Sequence, residues 1–146
     1  MPNWSYLTIN FLYQIGLAIW IGGSIALGAL VAPALFKALP RPEAGAIFGP
    51  TLRRFSRLRV LAVVLIVIGA AAKYIGWERN ATTPWIAVRW VAIAFLALTV
   101  LYEIAYLEPA LQRKRADATA FGRLHQRSEL LMKSALVVAI VALFLS

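Results

Sequence analysis

The chain has 146 residues, of which 62% are hydrophobic and only 14% charged, against about 45–50% and about 25% in an ordinary soluble domain. Such a balance excludes a water-soluble globule and a disordered chain, and it places apolar surface against lipid as well as in a core. The formal net charge is +9, and the absence of cysteine excludes disulfides, thiolate metal sites and cysteine nucleophiles.

From Met1 to Phe36 no side chain is charged, a stretch longer than the about 20 residues that cross a hydrocarbon core of about 30 Å. It predicts a first spanning helix over 6–36. A cleaved signal peptide is the competing reading, against which stand the missing basic n-region at Pro2, Asn3, Trp4 and Ser5 and the length of the apolar run. Three more apolar stretches predict spans over 58–77, 84–107 and 129–146, joined by connections at 37–57 and 108–128. Residues 1–146 thus read as one all-α domain, a four-transmembrane-helix bundle. Lys73, Arg89, Glu103 and Lys133 lie about one or two turns from the ends of these spans and read as side chains reaching out to the headgroups.

Lys and Arg concentrate in loops kept on the cytoplasmic side. The two connections with their flanks carry Lys37, Arg41, Arg53, Arg54, Arg57, Arg59, Arg113, Lys114, Arg115, Arg123, Arg127 and Lys133, against Lys73, Arg79 and Arg89 elsewhere. The expectation is a bacterial inner (plasma) membrane protein with both termini on the non-cytoplasmic side. Trp4, Trp77 and Trp85 then gather at the outer interface beside Tyr6 and Tyr74, where an aromatic belt belongs. Topology accounts for the positive charge without nucleic acid, although the basic segments suit anionic lipid. Asn80-Ala81-Thr82 has the form of a glycosylation sequon, a three-residue pattern with little specificity.

Thr83-Pro84 reads as N-cap and first-turn proline of the third span, and Asp117 as N-cap of the last helix. Phe48, Leu52, Phe55 and Leu58, and likewise Phe121, Leu124, Ser128 and Leu131, form apolar stripes of juxtamembrane helix. The two connections resemble each other. Pro33-Ala34-Leu35 and Glu43-Ala44-Gly45-Ala46-Ile47-Phe48-Gly49 recur as Pro109-Ala110-Leu111 and Asp117-Ala118-Thr119-Ala120-Phe121-Gly122, offset by 73 to 76 residues. This reads as two duplicated helical hairpins in parallel orientation. Ser24, Gly28 and Ala32 form a stripe of small residues marking a helix-packing interface, within the chain or with a second subunit. Pro33 should bend the first helix.

His125 is the only histidine. Bis-histidine haem within one copy is therefore excluded, and a haem or copper site would need His125 with Met132, with Glu129, or with a symmetry-related chain. The plainer reading is a histidine hydrogen-bonded at the membrane edge. Glu103 sits inside the third span, where an unpaired carboxylate is expensive. Arg57, Arg59, Lys133 and His125 are its candidate partners, and either a salt bridge between hairpins or a proton or metal site explains it. Asn10 and Gln14 read as an outer polar patch or as interhelical hydrogen bonds. GxSxG, P-loop and HExxH motifs are absent, so a non-enzymatic protein is expected.

With Trp20-Ile21-Gly22-Gly23, then Val31-Ala32-Pro33-Ala34-Leu35-Phe36, Asp117, and Phe121, Leu124, His125 and Ser128 in FxxLHxxS spacing, the chain resembles the transmembrane protein 205-like family, also known as domain of unknown function 4149. Its hydropathy layout is distantly similar to the copper resistance protein D superfamily. The resemblance implies a four-helix integral membrane protein, linked in the family's eukaryotic branch with metal-drug resistance. It makes Gly22, Gly23, Pro33 and Phe121 structural motif residues and Asp117, His125 and Ser128 site candidates. The family pattern places Asn four residues after that serine, where this chain has Met132.

The leading functional expectation is a small membrane protein that handles a metal ion or small solute at a cytoplasmic-side polar site of Glu103, Asp117, His125 and Ser128. The alternatives are an accessory or assembly subunit of a respiratory or photosynthetic complex, and a haem-binding electron-transfer protein using His125. A homodimer is a further partner expectation.

Overall fold

A computed structural model describes residues 3–146. Met1 and Pro2, which open the uncharged N-terminal stretch, lie outside the described residues. The chain folds as helical rods. The first rod comprises α1 (Asn3–Ile25), a π-helical stretch over Ala26–Val31 and α2 (Ala32–Ala38). The second is α3 (Arg41–Lys73) with a π-helical end at Tyr74–Glu78. The third comprises α4 (Pro84–Tyr102), a π-helical stretch over Glu103–Leu107 and α5 (Glu108–Arg113). The last is α6 (Ala118–Phe144). The rods Asn3–Ala38, Arg41–Glu78 and Pro84–Arg113 are each long and apolar enough to cross a membrane.

Two of the π-helical stretches lie just before a proline, although Pro50 sits inside α3 without one. Pro33 and Pro109 each follow the end of one by two residues. A proline inside a rod has no N–H to donate, and its ring collides with the carbonyl four residues back. A locally widened helix relieves both without ending the rod. The stretch at Tyr74–Glu78 ends its rod before a turn and has no such proline behind it. Leu39 stops the first rod, its backbone extended at φ −127°, ψ 152°, the conformation that a following proline such as Pro40 favours.

Thr83 occupies the N-cap of α4 without a side-chain cap bond, so Pro84 alone marks that start. Asp117 does cap α6, its carboxylate accepting from the backbone N–H of Thr119 at 3.1 Å and of Ala120 at 3.2 Å. Asp117→Ala should cost about 1 kcal/mol, read as faster amide hydrogen exchange at Thr119 and Ala120 with the rest of the bundle unchanged.

α1 packs mainly on α3 and α4 on α6, while α1 also meets α6 and α3 meets α4, so the four rods close a ring around one core. α1 supplies its bulk with Tyr13, Leu17 and Trp20, and the facing helices supply small residues such as Ala62, Ala70, Ala135 and Ala139. Large on small lets the helices approach closely. Gly16 and Gly69 mark the closest approaches to backbone, because a Cβ on Gly16 would lie 2.7 Å from the Ala62 carbonyl oxygen and one on Gly69 2.8 Å from the Tyr13 nitrogen. Outside, Val91, Leu98, Leu101 and Ile75 stand exposed, an apolar perimeter that water would not tolerate and lipid does. Tyr6 meets the edge of Trp77 at one end of the bundle, ring centroids 5.3 Å apart.

The small-residue stripe is buried within the chain at one end only, Gly28 being exposed and Ala32 half-buried. Ser24 is buried, and Gly28 leaves room for Met132 of α6, whose Cε would lie 3.7 Å from a Cβ at Gly28. Gly23 lies under the Phe55 ring, while Gly22 faces open space.

Candidate functional site

The expectation that Lys73, Arg89 and Glu103 reach out to headgroups is corrected by their burial. Each finds a polar partner inside the bundle, which removes the reason to extend toward water. Only Lys133 points outward, bonding Glu129 one turn away at 2.7 Å.

Of the four partners open to Glu103, the structure selects Arg59. Its Nη2 lies 2.6 Å from Glu103 Oε2, with side chains only 1% and 8% exposed, and the pair ties α3 to the π-helical stretch of the third rod. Arg59 is 18 residues into α3 at the start of the apolar run, and Glu103 opens the stretch that Pro109 distorts. The same Nη2 donates to Ser56 Oγ at 3.1 Å, one turn back along α3. Aromatic rings cover the guanidinium, with its carbon 5.5 Å from the Trp20 ring centroid and 5.2 Å from that of Phe55. This is the separation at which a cation gains from a ring face.

A guanidinium has five N–H donors. Both on Nη2 are engaged, whereas Nε and Nη1 have no acceptor in the structure. Trp20 Nε1 on α1, and Ser24 Oγ one turn further along it, are buried and equally without partners. A carboxylate commonly takes two nitrogens of an arginine in a fork, but Glu103 takes one. Each buried donor left unmatched costs about 1–3 kcal/mol. Three such atoms therefore lie on the stacked Arg59 and Trp20 side chains where α1 meets α3, and Ser24 Oγ is the fourth, one turn along α1.

The other expected site residues disperse. Asp117 is engaged at the α6 cap. His125 is exposed and stacks on Phe121, centroids 6.2 Å apart and planes within 6°. Ser128 is half-buried on α6, Glu129 is held by Lys133, and Met132 lies against Gly28. Among the described residues, no three His, Asp or Glu side chains gather in a group that could hold a metal ion. Trp20, Ser56 and Glu103, by contrast, gather on Arg59, which the sequence offered as one of four partners for Glu103. The legible signal was Trp20 and Ser24 four residues apart on one face of α1, opposite an arginine at the mouth of an apolar run.

A second charged layer closes the far end. Lys73 Nζ donates to Asn10 Oδ1 at 2.9 Å. Arg89 grips Glu78 with both Nη atoms, Nη1 to Oε1 at 3.0 Å. The Tyr13 hydroxyl donates to the Ala142 carbonyl at 3.0 Å, and the Tyr13 ring takes Lys73 Nζ at 5.6 Å from its centroid. Gln14 donates to Ser146 Oγ at 3.3 Å, so both expected polar residues of α1 bond between helices. From Arg59 to Lys73 the rise along α3 is about 21 Å, and the core between them holds Leu17, Ala62, Ile66 and Ala70.

The fold and its two charged layers define a helical membrane protein. Residues 15–120 match the model of DUF4149, a domain of unknown function. The chain belongs to that family. The match takes in Trp20, Ser24, Arg59, Glu103 and Asp117 and ends before His125, Ser128 and Met132. No curated protein and no solved structure matches the chain.

Proposed function

We propose that this is a non-enzymatic four-span protein of a bacterial inner membrane that handles a small polar solute at a site around Arg59 and Glu103 on the cytoplasmic side. The observation that carries it is the Arg59–Glu103 pair, buried among helices yet leaving most of the guanidinium free. A solute is favoured over a metal ion because the free atoms are hydrogen donors, which attract oxygen or nitrogen acceptors. Local binding is favoured over passage, since about 21 Å of apolar core separates the two charged layers.

A fourth span is supported by α6, which packs along α4 and α1 with Ala135, Ala139 and Ala142 buried, while Lys133 points out to the membrane edge. Duplicated hairpins gain support from the π-helical stretch two residues before both Pro33 and Pro109. Twelve of the 15 Lys and Arg flank the Arg59 end, which favours its cytoplasmic orientation and contact with anionic lipid.

Thermal unfolding of the detergent-purified protein with acetate, inorganic phosphate, urea or zinc chloride tests the reading. At least one of the first three should raise the midpoint, because a ligand at about 100 times its Kd adds about 2.7 kcal/mol. Arg59→Lys should abolish the rise and zinc should give none. A wild-type midpoint indifferent to all three would refute the assignment.

A further inference from the structure

Resting on that reading, we infer that Trp20, Ser24 and Arg59 form a recognition site for a small oxyanion. Of the five buried side-chain atoms without partners among the described residues, Arg89 Nε lies in the far charged layer, and the other four are Arg59 Nε and Nη1, Trp20 Nε1 and Ser24 Oγ. Three of these four are nitrogens that can only donate, and the hydroxyl can donate as well. Acceptor-rich ligands satisfy such a set, whereas a metal cation or an amine meets N–H hydrogens pointed at it. Trp20 has a double part, its ring covering the guanidinium face while its N–H stays unspent.

The wider field has the same preference. The rod ends around Arg59 carry twelve Lys and Arg, and five acids, Glu43, Glu103, Glu108, Asp117 and Glu129. A surface so biased concentrates anions near this end of the bundle and repels cations. Glu103 both helps and competes: it holds Arg59 in place through one nitrogen, and it is the anionic group already there. Replacing it by glutamine keeps an acceptor oxygen and removes the competing charge. Glu103→Gln should therefore bind the anion more tightly, an outcome that a purely structural salt bridge does not produce.

Calorimetric titration of the full chain in detergent with acetate, with inorganic phosphate and with neutral acetamide, at constant ionic strength, tests the inference. Saturable binding of acetate or phosphate is expected, about tenfold weaker in Trp20→Phe, which keeps the ring and loses the N–H. Glu103→Gln should strengthen it by about tenfold. Circular dichroism and unfolding midpoints show whether each variant is folded, and Ser24→Ala provides a second, milder probe. Binding of acetamide alone, lost in Arg59→Lys, would overturn the oxyanion class and leave the solute site standing. No Arg59-dependent binding of any of the three would overturn both, as expected if only water occupies these donors. Anion binding that Trp20→Phe and Ser24→Ala both leave unchanged would overturn the assignment of these residues.

Discussion

Glu103→Leu should destabilise the bundle by about 3–5 kcal/mol, the cost of leaving a buried charge without its counterion. Arg59 is the reason. Its guanidinium is 1% exposed, and Glu103 is the only charged partner it meets among the described residues. Ser56 would remain as a single neutral acceptor, and the Trp20 and Phe55 rings attract the cation by only about 0.5–2 kcal/mol each. The reciprocal change, Arg59→Met, should be damaging for the same reason, since it strands a carboxylate. The double variant Arg59→Met with Glu103→Leu should recover most of the loss, because apolar residues of similar volume can replace a buried pair at little cost. Chemical unfolding in detergent of the four proteins completes the double-mutant cycle. A single variant costing under about 1 kcal/mol would mean that Arg59 reaches water after the change, and the dry burial seen here would be wrong.

Sequence made the rods legible because their signal is collective. An uncharged run such as Met1 to Phe36 needs no partner to identify it, and Asp117 declares a cap because the motif is local to three residues. The inward turn of Lys73 and Arg89 was not legible, and for Glu103 the sequence offered a salt bridge without choosing among four partners. A charge near a span end reads the same whether it extends to a headgroup or rotates about the helix axis toward a partner. Which occurs depends on an opposing residue far along the chain, as Asn10 for Lys73, 63 residues away, or Glu103 for Arg59. His125 drew attention as the sole imidazole, but chemical rarity says nothing of placement, and its ring lies on the exposed side of α6. Trp20 showed the reverse. In sequence it is one aromatic residue in an apolar helix, and only the crossing of α1 with α3 places it over a guanidinium. Of Ser24, Gly28 and Ala32, whose spacing suggested a packing interface, only Ser24 is buried, and the spacing could not state that Met132 of α6 lies near Gly28.

Gly69→Ala should cost about 2–3 kcal/mol, at the upper end of overpacking penalties, although alanine is the better helix former by about 1 kcal/mol. The new methyl would lie 2.8 Å from Tyr13 N and 2.9 Å from Tyr13 Cα, so backbone rather than a mobile side-chain end must move. Tyr13 cannot retreat cheaply, being fully buried and tied through its hydroxyl to Ala142 of α6. Gly16→Ala faces the same obstacle at the Ala62 carbonyl oxygen, 2.7 Å away. Gly23→Ala meets the Phe55 ring, which can swing aside, so its effect should fall less on stability than on the cover over Arg59. Gly22→Ala and Gly45→Ala, with nothing nearby, should be neutral or stabilising and serve as controls. Because Gly16 and Gly69 both set the spacing of α1 and α3, one outward shift relieves both clashes. The double variant should then cost clearly less than the sum of the singles. Unfolding midpoints of the five single variants and this double decide the matter: strict additivity would mean that each glycine serves a separate local fit, and neutral Gly69→Ala would mean that the helices stand further apart than described.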